Sequence, residues 1–156
     1  MITAFYAGSF DPFTVGHLHI VKTACKIFDK VVIGIGVNKN KVKKYDSIKM
    51  QQCITQVLEQ NNLTNVICIN YNGLTVDEMK KHNASFLIRG LRNSKDYELE
   101  EKLAKANYEL GGAETIFLRA DKYDLVSSTL VNQLKNDGKD YKQLVPKIVY
   151  DYISKN

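Results

Sequence analysis

The chain has 156 residues, a length that fits one domain with a substantial buried core. Hydrophobic residues make up 44% and charged residues 25%, a balance that excludes a disordered chain, and no apolar run approaches the roughly eighteen residues that a membrane span needs. Its 22 Lys and Arg outnumber its 17 Asp and Glu, and the net charge of +5 suits anionic ligands, either a phosphorylated small molecule or nucleic acid.

The three cysteines, Cys25, Cys53 and Cys68, are far apart in the chain and lie at apolar positions of predicted helices or strands. An odd number of scattered cysteines is typical of reduced core residues rather than of disulfides or metal ligands. No basic and then apolar signal segment precedes the first predicted strand. We therefore expect a cytoplasmic protein that consists of one domain.

The first predicted elements are a strand, a tight loop and a helix. Residues 2–6 are mostly apolar, as expected of a buried strand. Beyond the loop, apolar residues recur at spacings of three and four, which predicts a helix with Thr14 as its N-cap. A loop of this kind presents free backbone N–H groups at a helix N-terminus, where an anion is stabilised.

The loop itself carries residues suited to a phosphate. Gly8 and Gly16 permit close approach, Ser9 offers a hydroxyl, and His17 offers a side chain that can become a cation in the first helical turn. Taken singly, Gly8 and Pro12 could be ordinary turn residues and His17 a surface histidine. The combination favours a phosphate site that includes a side chain able to become a cation, His17.

A continuous β-branched run at residues 31–37 predicts a second strand, which completes a βαβ unit. The polar loop after it, residues 38–44, carries four lysines: Lys39, Lys41, Lys43 and Lys44. A charge run is often only a solvated surface, but loops after parallel strands form the ligand crevice of α/β sheets. We expect at least one of these lysines to face the phosphates.

A second helix is predicted from Ser47 to about Gln60, and short strands at residues 66–69 and 85–88. The last of these strands is followed by Arg89 and Arg92, which flank Gly90 and Leu91. Two arginines at the carboxyl end of a strand are suited to bind phosphate oxygens in a forked geometry. A structural salt bridge could explain one of them, and explaining both in that way is less economical.

A helix follows from Asp96 to about Leu110, and we expect its apolar face to be formed by Leu99, Leu103 and Ala106. Glu100 and Asn107 are polar and lie on a similar side of this helix, two turns apart.

A fifth strand is predicted at residues 115–118, and the hydroxyl residues Ser127–Thr129 open another helix. A last helix begins near Pro146. The alternation of strands and helices indicates an α/β fold with a parallel sheet.

Residues 8–17 read G-S-F-D-P-x-T-x-G-H and resemble the signature of the nucleotidyltransferase superfamily. Together with the lysine loop, residues 89–92, residues 96–100 and residues 126–129, in that order, they make the chain resemble the bacterial phosphopantetheine adenylyltransferases from about Met1 to Leu134. The resemblance implies a Rossmann-like five-stranded parallel sheet with helices on both faces. It also implies transfer of the adenylyl group of ATP to 4′-phosphopantetheine, with Mg²⁺, in a homohexamer that binds neither nucleic acid nor membrane.

The same resemblance implies roles for individual residues. His17, Lys41 and Arg92 would be catalytic, and no side chain would be a metal ligand. The acceptor would be bound by Ser9, Lys41, Thr75, Arg89 and Asn107. ATP would be bound by Ser9, Phe10, His17, Gly90, Leu91, Arg92, Glu100, Tyr123, Asp124, Leu125, Val126, Ser127, Ser128 and Thr129.

Some alternatives stay open at this point. Lys39 stands where the family usually has proline, so Lys43 rather than Lys41 could be the lysine that binds the acceptor phosphate. A related adenylyl- or cytidylyltransferase, for example one acting on nicotinamide mononucleotide, would share much of the pattern. A nucleotide sensor or RNA-binding module without catalytic activity is the alternative from another class, and it predicts binding of ATP without turnover, or a steep salt dependence of RNA affinity.

Overall fold

The computed structural model covers residues 1–156 and describes all of them except the side chain of Asp121. It contains one sheet of five parallel strands in the order β3-β2-β1-β4-β5. The strands are β1 Thr3–Gly8, β2 Lys30–Gly36, β3 Val66–Tyr71, β4 Phe86–Leu91 and β5 Glu114–Arg119. The predicted α/β fold with a five-stranded parallel sheet is therefore confirmed.

Six α-helices connect and follow these strands. They are α1 Val15–Ile27, α2 Ser47–Gln60, α3 Thr75–Lys81, α4 Ser94–Gly111, α5 Ser128–Asn136 and α6 Lys147–Ile153. Thr14 caps α1 as predicted, and Asn93 and Ser127 cap α4 and α5 through their side-chain oxygens. Among the described residues, no helix combines the length and apolar character that crossing a membrane requires.

The two faces of the sheet are covered by different helices. Alternate residues of β1 point to opposite sides, so Ala4 and Tyr6 belong to the large core beneath α1, α2 and α6. Phe5 and Ala7 belong to a smaller core that includes Val76 of α3. Because both faces of the central strands are buried, these strands are almost continuously apolar.

The strand order reverses between β1 and β4, which are neighbours in the sheet but are joined through β2 and β3. Their ladder ends at the pair Tyr6 and Ile88, whereas β4 remains paired with β5 as far as Leu91. The chain after Tyr6 and the chain after Ile88 therefore separate at the carboxyl edge. A reversal of this kind opens a crevice in which α/β proteins bind ligands.

The structure extends β4 beyond its predicted end and shows which residue of α4 is buried. Arg89, which we expected to follow the strand, lies inside β4 because its backbone pairs with Phe117 of β5. The predicted apolar face of α4 is not buried, since Leu99 is 62% exposed, and Glu100 is the buried residue of this helix. The sheet presents Arg89 to α4, and a partly buried cation favours a carboxylate over a leucine.

Candidate active site

The loop between β1 and α1 is tightly built. Phe10 has a positive φ of 46°, in the left-handed region that costs energy for a residue with a side chain, and the Asp11–Pro12 peptide is cis. A Cβ on Gly8 would lie 2.9 Å from the Phe10 ring, so only glycine fits there without a shift of the ring. Phe10 is 2% exposed and packs edge-on against Tyr6. The loop is therefore anchored by a buried aromatic side chain.

His17 closes this loop through a reciprocal cap with Thr14. The backbone N–H of Thr14 donates to Nδ1 of His17 at 3.0 Å, and the hydroxyl of Thr14 accepts from the backbone N–H of His17 at 3.3 Å. The imidazole packs against the rings of Phe10 and Phe13, with ring centroids 4.9 and 5.6 Å away. Because Nδ1 accepts a hydrogen bond, the proton of the neutral ring is on Nε2, which can donate to a ligand.

The surroundings of His17 favour the neutral form of its ring. Burial lowers the pKa of His17 to about 3, and the nearby positive charges of Arg92 and Arg89 act in the same direction. Both effects disfavour a further positive charge in a site that already holds two guanidinium groups. The ring can therefore act on a phosphate as a hydrogen-bond donor.

Arg89 is held by a buried carboxylate and a backbone carbonyl. Glu100 accepts from Nε and Nη2 of Arg89, both at 2.7 Å, and the carbonyl of Ala7 accepts from Nη1 at 2.6 Å. Burial alone would lower the pKa of Arg89, but the hydrogen bonds and charge of Glu100 outweigh burial and raise it. Arg89 is therefore a fixed cation of β4 whose guanidinium lies beside the end of β1.

Arg92 is held in a similar way, by a carboxylate that lies one turn nearer the start of α4 than Glu100. The carboxylate of Asp96 accepts from Nε of Arg92 at 2.9 Å and from Nη2 at 3.1 Å. The carbonyl of Val126, just before α5, accepts from Nη1 at 3.2 Å. Arg92 thus connects the chain after β4 to the segment that leads into α5.

The lysine loop is attached to the loop between β1 and α1. The carboxylate of Asp11 accepts from the backbone N–H groups of Lys44 at 2.8 Å and Tyr45 at 3.0 Å. Lys43 donates from Nζ to the carbonyl of Ser9 at 2.6 Å, and burial lowers the pKa of Lys43 although Asp11 opposes this. Lys41 lines a cavity instead.

Two cavities meet at the crevice between β1 and β4. The larger has a volume of about 730 Å³ and the smaller of about 250 Å³. The two share a wall that is formed by Ala7, Gly8, Ser9 and Arg89. Groups bound in the two cavities would therefore be adjacent at this wall.

Most of the residues suggested by the sequence line these cavities. The larger cavity brings together the five residues suggested for the acceptor: Ser9, Lys41, Thr75, Arg89 and Asn107. The smaller brings together ten of those suggested for ATP: Ser9, Phe10, His17, Gly90, Arg92, Glu100, Val126, Ser127, Ser128 and Thr129. The other four, Leu91, Tyr123, Asp124 and Leu125, lie outside both walls, and their role stays a prediction.

Sequence reasoning gave no role to Asp96, Asp11 or Tyr6. Asp96 could have been found from its position four residues after Arg92, because residues at this spacing can pair when the chain turns into a helix. Tyr6 lines the smaller cavity and is 4% exposed. Asp11 and the lysine loop are far apart in the chain, and nothing in the sequence indicates that they meet.

Carboxylates do not form a metal centre in this part of the protein. Within the described residues, no group of three or more His, Cys, Asp or Glu side chains is arranged to hold a metal ion. Asp96 and Glu100, the two carboxylates in the wall of the smaller cavity, are bonded to arginines.

Comparisons with known proteins agree with this geometry. Residues 5–134 match the sequence family described as cytidylyltransferase-like. The chain is 39% identical over 150 residues to a phosphopantetheine adenylyltransferase of Flavobacterium psychrophilum, covering 96% of this chain and 98% of that protein. It is 40% identical over 153 residues to a phosphopantetheine adenylyltransferase of Leuconostoc citreum, covering 97% of this chain and 96% of that protein.

Solved structures with the same fold include two proteins whose names describe adenylyltransferases. A bifunctional NMN adenylyltransferase/ADP ribose pyrophosphatase from Francisella tularensis, complexed with AMP and Mn ion, has a TM-score of 0.73 and 21% identity, covering 99% of this chain and 48% of that chain. The Plasmodium falciparum nicotinic acid mononucleotide adenylyltransferase complexed with NaAD has a TM-score of 0.69 and 14% identity, covering 98% and 94%. At these identities the likeness establishes the fold.

Proposed function

The chain belongs to the phosphopantetheine adenylyltransferase family, and we propose that its two substrates react at the wall shared by the two cavities, by direct in-line attack. The reaction transfers the adenylyl group of ATP to 4′-phosphopantetheine and gives dephospho-CoA and pyrophosphate, a step of coenzyme A biosynthesis. In the proposal, ATP occupies the smaller cavity and 4′-phosphopantetheine the larger one. Residues 1–156 then act as one nucleotidyltransferase domain.

The observation that carries this proposal is the position of Arg89 and Ser9 in the walls of both cavities. An acceptor phosphate beside Arg89 would lie next to the phosphate chain of a nucleotide in the smaller cavity. The larger cavity, at about 730 Å³, has room for the long pantetheine arm, and its wall also includes Asn107 and Thr75. Two phosphate-bearing substrates can thus meet with their phosphates side by side.

The reaction requires the protein to position the two substrates and to stabilise the negative charge on their phosphates. The attacking group is already a phosphate anion, so no side chain needs to remove a proton or form a covalent intermediate. Lys41 and Arg89 hold the acceptor phosphate, and Arg92 holds the phosphates of ATP. His17 donates from Nε2 to the phosphate that carries developing charge in the transition state. The start of α1 adds backbone N–H groups beside it.

Mg²⁺ is proposed to arrive with ATP, bound to the phosphates of that substrate. This agrees with the carboxylates of the cavity, which are bonded to arginines. A Mg²⁺ ion is commonly bound by substrate phosphates and water with few protein ligands. We further propose, from the family resemblance, that the protein works in the cytoplasm as a homohexamer.

The test is pyrophosphate release from ATP and Mg²⁺ with three acceptors in parallel: 4′-phosphopantetheine, nicotinamide mononucleotide and phosphocholine. We expect release with 4′-phosphopantetheine alone, and His17→Ala to lower kcat by roughly a hundredfold, the scale of losing one transition-state donor. Release with a different acceptor would refute the assignment of the larger cavity. Binding of ATP without release from any acceptor would support a nucleotide sensor instead.

A further inference from the structure

Arg89 and Arg92 are held in the same way by two carboxylates of α4. Glu100 accepts from Nε and Nη2 of Arg89, and Asp96 accepts from Nε and Nη2 of Arg92. Asp96 and Glu100 are four residues apart, so they lie one turn from each other on the same side of the helix. This side of α4 therefore binds both arginines through the same edge of the guanidinium group, the edge formed by Nε and Nη2.

The remaining bonds leave the same part of each guanidinium available. Nη1 of Arg89 donates to the carbonyl of Ala7, and Nη1 of Arg92 to the carbonyl of Val126. A guanidinium has five N–H groups in one plane, and these bonds use three of them on each arginine. One N–H on each Nη is left. These remaining N–H groups can donate to oxygens of a phosphate.

Asp96 is itself held in place on both sides. Its backbone N–H donates to Oδ1 of Asn93 at 3.0 Å, in the cap of α4. Its Oδ2 accepts a further bond, from the backbone N–H of Arg92, at 3.1 Å. The side chain of Asp96 is 21% exposed, so it has limited room to move. These hydrogen bonds tie the segment between β4 and α4 together, and they fix the direction of the Arg92 side chain.

We propose that Asp96 is a positioning residue that aims the free end of the Arg92 guanidinium at the phosphates of the nucleotide. Asp96 is an anion and repels phosphate, so it acts through Arg92 and not by touching the nucleotide. Without it, Arg92 would keep one bond to a carbonyl and would rotate among several rotamers, and its charge would no longer be preorganised. This inference rests on the proposed function, because the kinetic test measures turnover of the proposed reaction.

The test is a double-mutant cycle of Asp96→Asn and Arg92→Ala, with kcat and KM measured for both substrates. Asn preserves the size of the side chain but has neither the charge nor the second acceptor oxygen. We expect Asp96→Asn to lower kcat by at least about tenfold, while the KM for the acceptor changes by less than about threefold. In the Arg92→Ala background, the same substitution should change kcat by less than about twofold.

Two outcomes overturn the proposal. Asp96→Asn could leave kcat within about threefold of the unmodified protein, or it could lower kcat by the same factor in both backgrounds, which is the additivity expected of a purely structural role. Asp96→Glu retains the charge and both oxygens, so we expect it to recover most of the lost turnover. It also keeps the proposal testable if Asp96→Asn folds poorly.

A second readout separates this inference from the proposed function. The affinity for ATP, measured by calorimetry without acceptor, should fall about fivefold in Asp96→Asn, and no further in the double variant than in Arg92→Ala alone. If the unmodified protein shows no turnover with any acceptor, the proposed function fails, while the calorimetric cycle still decides the role of Asp96. Glu98→Gln is the matched control, because Glu98 is exposed on the same helix. It should leave turnover, ATP affinity and Tm unchanged.

Discussion

The backbone N–H of Thr14 donates to Nδ1 of His17, and the hydroxyl of Thr14 accepts from the backbone N–H of His17. One residue of the signature therefore caps the helix and also sets the tautomer of the other. A protonated imidazole would place an N–H at Nδ1 facing that same backbone N–H, with Arg92 and Arg89 nearby. The cap, the surrounding aromatic rings and the arginines all favour a neutral ring with its proton on Nε2.

The low pKa of His17 predicts a loss of stability in mild acid. Its pKa is about 3 in the folded protein and near 6.5 in the unfolded chain. Between these values the unfolded state binds one more proton, so the free energy of unfolding falls as the pH falls below about 6.5. From about pH 7.5 to about pH 5 this amounts to about 2 kcal/mol, which urea unfolding at a series of pH values would measure.

The matched control is His17→Gln, which has no titrating group at this position. All other ionisable groups are common to the two proteins, so the difference between their pH profiles isolates His17. We expect the profile of the variant to be flatter by about 2 kcal/mol over that interval. Parallel profiles would show that the folded protein accepts a proton on His17 as easily as the unfolded chain does.

Lys41 and Lys43 should differ in what their removal changes. Lys41 lines the larger cavity, whereas Lys43 is bonded to the carbonyl of Ser9. We expect Lys41→Ala to lower kcat/KM for the phosphopantetheine acceptor by about a hundredfold, since it removes a cation from the acceptor phosphate. Lys43→Ala should cost about tenfold or less, through a looser loop. Lys44→Ala is the control, because it removes one charge from an exposed position of the same loop.

Steady-state kinetics with the acceptor varied at saturating ATP would rank the three lysine variants. A larger loss for Lys43→Ala than for Lys41→Ala would identify Lys43 as the lysine that binds the acceptor phosphate. An equal loss for all three would indicate that only the net charge of the loop matters, and in that case high salt should remove the effect.

Glu100 is expected to support the folded state as well as the site. Glu100→Gln leaves the partly buried guanidinium of Arg89 without its charged partner, and breaking a pair with a buried carboxylate costs several times more than losing an exposed pair. We expect a loss of about 2–4 kcal/mol in the free energy of unfolding. Urea unfolding would measure it, with the exposed Glu98→Gln as the reference. A loss no larger than the reference would show that water replaces the carboxylate.

The strands and the cap at Thr14 could be predicted from local patterns, and 14 of the residues that line the two cavities from the family resemblance. The burial of Glu100 and the neutral state of His17 could not. Both depend on which side chains the sheet brings opposite them, and the partner of Glu100 lies eleven residues away in another element. The exposure of Leu99 has the same origin, since the side of α4 that faces the sheet meets an arginine.

Thr115 offers a test of the wall between α4 and the sheet. Its hydroxyl is buried and has no hydrogen-bond partner among the described residues, although the residue forms part of the wall of the larger cavity. An unpaired buried hydroxyl is unfavourable, so Thr115→Val should raise the free energy of unfolding by about 1 kcal/mol, as urea unfolding would measure. Because the oxygen is covered, we expect the KM for the acceptor to stay the same.

Thr23→Val is the control for this prediction, since the hydroxyl of Thr23 donates to the carbonyl of His19 at 3.1 Å, and the variant should not gain stability. If Thr115→Val instead lost stability and raised the acceptor KM, the hydroxyl would have to be turning toward the cavity to bond the acceptor.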